Sequence, residues 1–181
     1  MSIERITFNG VRSQKTLVTS IQSKMINIRK ERIRESLFDF DNEEHRLEYI
    51  TTVRGVDFIN DSKATNINAT WFGLESMNRP VIWIVGSLEN NAGLSQLTDI
   101  AMGKVKSIIC LSKNGPAVEQ LFANTVDDIS SSSSMVEVVA KAYYKAQKGD
   151  VVLFSPACAS FDMYDNYEAR GIAFKRAVAE L

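Results

Sequence analysis

Three uninterrupted apolar runs constrain this chain most: Val81-Ile82-Trp83-Ile84-Val85, Ser107-Ile108-Ile109-Cys110-Leu111 and Val151-Val152-Leu153-Phe154. Each has the length of a strand and none alternates with polar residues, so each is expected to be buried on both faces. Strands of this kind belong to parallel sheets covered by helices on either side. The segments between and after them fit helices at about 68–77, 94–102, 116–122, 135–147 and 167–178. Pro116 suits the first turn of its helix, where a missing N–H costs nothing.

Two further segments add to the sheet. Leu47, Tyr49 and Val53 precede Arg54-Gly55 and a second apolar stretch, Val56 to Ile59, which reads as a hairpin. A short strand is also expected at Thr125 to Ile129. The five serines Ser130 to Ser134 are too short for a domain linker, and the last can cap the helix that follows. Upstream, Ile3 to Phe8 fits one strand, and Leu17, Ile21 and Met25 form an apolar helical stripe. A charged helix spans about Lys30 to Leu37, and Asp39 to Glu44 reads as a linker. The expected fold class is therefore α/β, a Rossmann-like, mostly parallel sheet with helices on both faces, preceded by a short helical segment. Residues 1–40 would form the helical part and 41–181 the main domain.

Composition narrows the partners. A net charge of −1 over 181 residues gives no basic field for nucleic acid or an anionic membrane. No apolar run approaches a membrane span, and no signal-peptide pattern opens the sequence. Cys110 and Cys158 lack metal-ligand spacing and read as buried thiols in a reducing compartment. A cytoplasmic location is the expectation.

In an open α/β sheet, ligands sit beyond the C-terminal ends of the strands. Three strand exits here are polar: Asn60 to Asn66, Gly86 to Gly93, and Ser155 to Asp162. All three should share one edge. The first offers a carboxylate (Asp61), an ammonium (Lys63) and hydroxyls ahead of a helix N-terminus, a setting suited to an anion. In it Asp61 can orient Lys63 or approach a metal ion. An ordinary Asx turn with Asn66 or Asn68 as N-cap explains the same residues without a ligand. The third exit, rich in small residues, lets backbone approach a ligand while Ser160 offers a hydroxyl, or simply packs tightly.

The string Asp61-Ser62-Lys63-Ala64-Thr65-Asn66 after a strand resembles a signature of the Mur ligase family of peptidoglycan synthesis, in its D-glutamate-adding branch. So do Ser155 to Asp162, the pair Tyr167-Glu168-Ala169-Arg170-Gly171 and Phe174-Lys175, and His45-Arg46. The resemblance covers about Ile28 to Leu181. It implies the C-terminal domain of an ATP-dependent, ADP-forming acid–D-amino-acid ligase, with 1–40 as the tail of a central ATP-binding domain. It implies that Asp61 and Lys63 act at the reacting phosphate, and that Thr65, Ser160, Phe161 and Tyr167 line the D-glutamate site. His45 and Arg46 would lie beside the nucleotide, although a lone histidine is more often structural. ATP and Mg²⁺ would be bound mainly by other domains, with UDP-N-acetylmuramoyl-L-alanine as second substrate; no residue here is assigned to a metal.

The sequence also departs from that pattern. No G-x-x-x-x-G-K-[ST] occurs, so no P-loop cradles phosphates. Gly10-Val11-Arg12-Ser13 and Thr16 replace the family's adenine-holding residues. Glu89-Asn90 stand where a lysine would meet the D-glutamate side chain; Lys113 is a substitute only if its loop bends inward. These departures imply a stand-alone or truncated domain, inactive alone, whose missing domains were either removed or lie on another chain and act in trans. The alternative they favour is a non-catalytic binding or regulatory module. A generic dinucleotide-binding domain is disfavoured, because no G-x-G-x-x-G follows a strand. The Leu17, Ile21 and Met25 stripe would be a dimerisation face.

Overall fold

Arg54 and Gly55 take left-handed backbone (φ 49° and 84°) and reverse the chain, closing an antiparallel hairpin between β1, Glu48–Val53, and β2, Val56–Asn60. A Cβ on Gly55 would meet the Lys148 side chain at 2.6 Å, so both its φ and its surroundings demand glycine. In this computed structural model, which describes residues 43–87, 93–112 and 116–181, the remaining strands are parallel to β2. They are β3 (Val81–Val85), β4 (Val105–Leu111), β5 (Ile129–Ser132) and β6 (Val151–Phe154). The sheet order is β1-β2-β6-β3-β4-β5, so the last strand inserts between the second and third.

The apolar runs are buried as expected, and successive residues feed opposite layers. Trp83, Ile108, Cys110 and Leu153 face one core, with α1 (Ile67–Ser76), α2 (Thr98–Lys104) and α3 (Pro116–Phe122). Ile82, Ile84, Ile109 and Phe154 face the other, with α4 (Met135–Lys145) and α5 (Tyr167–Ala179). Aromatic contacts mark each layer: Trp83 meets Phe122 edge-on at 5.6 Å, and Phe154 stacks on Phe174 at 4.9 Å. The fold is thus the expected α/β sandwich, and all its described residues fall in one compact unit, 40–181.

Two elements differ from expectation. The strand placed at Thr125 to Ile129 starts only at Ile129 and runs through the serines to Ser132. The amides of Thr125 and Val126 turn back to the Phe122 carbonyl, so that segment still finishes α3. The serines qualify as a strand because β5 is an edge: the ladder to β4 and a bond from Lys141 Nζ to the Ser131 carbonyl (2.8 Å) hold them, not packing. Ser134 does cap α4, accepting from the Glu137 amide. The second difference is at Leu94–Leu97, a 3₁₀ turn entered through Gly93 at φ 101°, after which α2 begins only at Thr98. The expectations for 1–40, for Glu89-Asn90 and for Lys113 lie outside the described residues.

Candidate functional site

β2, β6 and β3 are neighbours and parallel, so their three exits leave the sheet along one edge. The β2 exit is a folded turn. Asn60 Oδ1 accepts from the Ser62 amide, the Asp61 carbonyl accepts from Ala64 N, and Asn66 caps α1 by accepting from Ala69 N. The plain Asx-turn and N-cap reading is therefore correct as local structure, with Asn66 and not Asn68 as the cap. It coexists with the functional reading, because the turn leaves Lys63 and Thr65 half-exposed.

Asp61 is only 4% exposed, and its contacts differ from the expected pairing with Lys63. One oxygen accepts from Leu47 N (3.3 Å) and the other from Ser155 Oγ (2.7 Å), which also lies 3.0 Å from Thr70 Oγ1. Burial pushes its carboxyl up to about 7, against the pull of the Ser155 and Leu47 bonds. α1 comes so close that a Cβ on Gly73 would sit 2.8 Å from the Asp61 carboxylate. A carboxyl used up in this way ties the hairpin, β2, β6 and α1 together. It neither orients Lys63 nor offers free oxygens to a metal.

Lys63 instead forms an ion pair with Glu43, and its ammonium lies 5.6 Å from the centre of the Tyr167 ring. Arg46 Nε approaches the other Glu43 oxygen at 3.9 Å. His45 is buried, with left-handed backbone (φ 67°). Its Nδ1 accepts from the Asn60 amide at 2.9 Å, its carbonyl accepts from Lys63 N, and its ring meets Tyr167 edge-on. Because Asn60 Oδ1 is committed to Ser62, the amide N faces the ring, which leaves Nε2 as the protonated nitrogen. A Cβ on Gly171 would lie 2.3 Å from His45 Nδ1, so α5 receives the imidazole only through glycine. The histidine is a packing residue of the turn, as lone histidines usually are.

The β6 exit packs equally tightly. Gly86 N donates to the Pro156 carbonyl at 2.9 Å, and a Cβ on Gly86 would strike Cys158 Sγ at 2.4 Å. Burial pushes the Cys158 thiol up, so it is a packed group and not a thiolate. Ser160 is buried, whereas Phe161 is 79% exposed and Tyr167 half-buried. Sequence reasoning gave no role to the residue that joins the two exits. Arg170 is 3% exposed and donates to Ser62 Oγ and O, Cys158 O and Ala159 O, at 2.8–3.2 Å. A signal was available: Arg170 stands in line with Phe174 and Val178 on the inward stripe of α5, where a charge must find partners.

Glu44, His45 and Glu48 bring three potential ligand atoms within 4.8 Å of one another. Lys175 Nζ already bridges both carboxylates, at 2.5 and 3.1 Å. No helix among the described residues is long and apolar enough to cross a membrane.

Residues 45–158 match the family model described as Mur ligase, glutamate ligase domain. Over its whole length the chain is 43% identical to UDP-N-acetylmuramoylalanine--D-glutamate ligase of Christiangramia forsetii, spanning 41% of that protein. It is 42% identical to the enzyme of the same name from Porphyromonas gingivalis, spanning 40% of it. The Salinibacter ruber enzyme is 39% identical over 92% of this chain. The chain thus spans about two fifths of the length of the curated relatives it matches. The solved MurF ligase from Thermotoga maritima in complex with ADP shares the fold, with a TM-score of 0.50 over 78% of this chain and 33% of that one, at 14% identity. The chain belongs to the Mur ligase family, and its residues 45–158 match that family's glutamate ligase domain.

Proposed function

We propose that this chain is the part of a D-glutamate-adding ligase that holds the incoming amino acid and closes on the nucleotide. The supporting observation is the Arg170 staple, which joins the β2 exit carrying Lys63 and Thr65 to the β6 exit carrying Ser160 and Phe161. In the reaction, the γ-phosphoryl of ATP passes to the carboxylate of UDP-N-acetylmuramoyl-L-alanine. The D-glutamate amine then attacks the acyl carbon, and phosphate leaves. Such chemistry needs positioning and neutralisation of phosphoryl charge more than covalent help from the protein. Lys63 and Arg46 supply that positive charge from this chain. Thr65, Ser160, Phe161 and Tyr167 contact D-glutamate, while Asp61 and His45 work from behind by fixing the turn. Mg²⁺ does not fit Asp61, Glu44 or Glu48: both oxygens of Asp61 accept hydrogen bonds and the two glutamates hold Lys175, so no step is routed through the metal on these described residues.

Residues 1–40 and 41–181 act as the tail of an ATP-binding domain and as the glutamate ligase domain, with the remaining domains elsewhere on a longer chain or in trans. The chain alone forms no amide bond, and release of ADP dependent on both substrates from the purified chain would refute that. A non-catalytic module is the second reading, favoured by the sequence Glu89-Asn90, an acid and an amide at positions where the family resemblance implies a lysine. Titration of D-glutamate and then L-glutamate, followed by backbone amide NMR, separates the two. Shifts at Thr65 and Ser160 specific to the D isomer support the substrate site. Equal or absent shifts at millimolar ligand favour the module.

A further inference from the structure

The Lys63 ammonium already carries an anion, and the chain itself provides it. Glu43 sits only two residues before His45, yet its carboxylate reaches the β2 exit. One oxygen pairs with Lys63 and the other lies 3.9 Å from Arg46 Nε. The hydrogen bond to Lys63 holds the Glu43 carboxyl below its ordinary range, so it is a carboxylate at neutral pH. Its neighbours are the two cations that the proposed function assigns to nucleotide phosphate. The pair is 25% and 34% exposed, so water and ions reach it. Pairs of that exposure exchange readily, because solvent offsets most of their attraction. Glu44, the next residue, points away to Lys175. Neighbouring acids of equal charge therefore do different things, and of the two it is Glu43 that sits at the cationic site.

We propose that Glu43 is an internal competitor, an autoinhibitory carboxylate seated where an anionic ligand group binds. A phosphate or carboxylate must displace it before contacting Lys63 and Arg46. The proposal rests on the reading of those two residues as an anion site, and the test separates the two ideas. Tripolyphosphate is titrated by calorimetry into the full 181-residue chain and into Glu43→Gln, Glu44→Gln and Lys63→Met, with thermal melts confirming that each is folded.

The expected result is that Glu43→Gln binds about twofold to fivefold tighter than the unsubstituted chain. Glu44→Gln, which removes the same charge one residue away, changes affinity much less, and Lys63→Met weakens binding. Equal gains from Glu43→Gln and Glu44→Gln overturn the proposal, because a general loss of negative charge then explains both. Lys63-dependent binding with no gain in Glu43→Gln overturns the competitor alone and leaves the anion site standing. Absence of binding in every form, Glu43→Gln included, overturns the anion site and the competitor with it.

Discussion

The two sides of the β2 exit share one turn and differ in almost every physical respect. On the inner side, Asp61, Ser62, Ser155 and Arg170 are at most 4% exposed, and their polar groups bond to one another or to backbone. On the outer side, Lys63 and Tyr167 are half-exposed and Phe161 almost fully so. The cations make the contrast plain. Arg170 has no carboxylate partner among its bonds and spends its planar fork on three carbonyls and a hydroxyl, a fixed geometry. Lys63 pairs with the Glu43 carboxylate where solvent reaches both groups. A ligand site needs both: groups that can change partner, on a frame that cannot.

The frame should fail first when its buried fork is removed. Arg170→Ala strands the Ser62, Cys158 and Ala159 acceptors in the interior. The expected loss is on the order of 3 kcal/mol in denaturant unfolding, since bonds to a buried charge are worth more than neutral ones. Arg170→Lys should recover only part, because one ammonium cannot span both exits. If Arg170→Ala unfolds like the unsubstituted chain, the division into frame and lip is wrong.

A smaller effect is expected at Gly171, whose Cβ would sit 2.3 Å from His45 Nδ1. Gly171→Ala should cost about 1–3 kcal/mol from overpacking. His45→Ala in the same chain should make that substitution nearly harmless. Such a double-mutant cycle sharpens the comparison, for it assigns His45 to the frame independently of any nucleotide.

Residues of the two sides were not equally legible in the sequence. The apolar runs of β3, β4 and β6 announced a doubly covered sheet, because only burial on both faces permits them. The three polar exits then followed from topology, and Thr65, Ser160, Phe161 and Tyr167 could be named by resemblance. What escaped was the frame. Arg170 shares the inward stripe of its helix with Phe174 and Val178, which marks it as buried without saying what meets its charge. Its partners are mostly backbone carbonyls, which no side-chain pattern reveals. Asp61 looked like a partner for Lys63 because only Ser62 separates the opposite charges, yet the turn sends the two side chains to opposite sides. Glu43 was read into a solvated linker, and the serines of β5 carry no strand propensity of their own. Contacts made across 20 residues or through a ladder leave no local mark.

Asp61 also gives the frame a pH signature. Its carboxyl titrates near 7 in the folded chain, against 3.8 ordinarily, so the folded state binds the extra proton. Unfolding free energy should therefore be highest below about pH 4 with respect to this group, and should decline as pH rises toward 7. Asp61→Asn, whose one oxygen still accepts from Leu47 N while its amide nitrogen donates to Ser155 Oγ, should flatten that decline. A slope unchanged by the substitution would assign it to other groups and show Asp61 to be ionised and better solvated than its burial implies.

The smallest effect on folding, and the sharpest test of the outer side, is at Phe161. With 79% of its surface in water, the ring buries little, so Phe161→Ala should change stability by no more than about 0.5 kcal/mol. The ring adjoins the buried Ser160 in sequence, and its proposed use is to cover D-glutamate. Amide shifts at Ser160 on D-glutamate titration should accordingly weaken in Phe161→Ala while the melting curve stays in place. Loss of stability instead would move Phe161 into the frame. A full D-glutamate response without the ring would leave Thr65, Ser160 and Tyr167 to hold the substrate alone, and would narrow the exchangeable lip to the residues that flank Lys63.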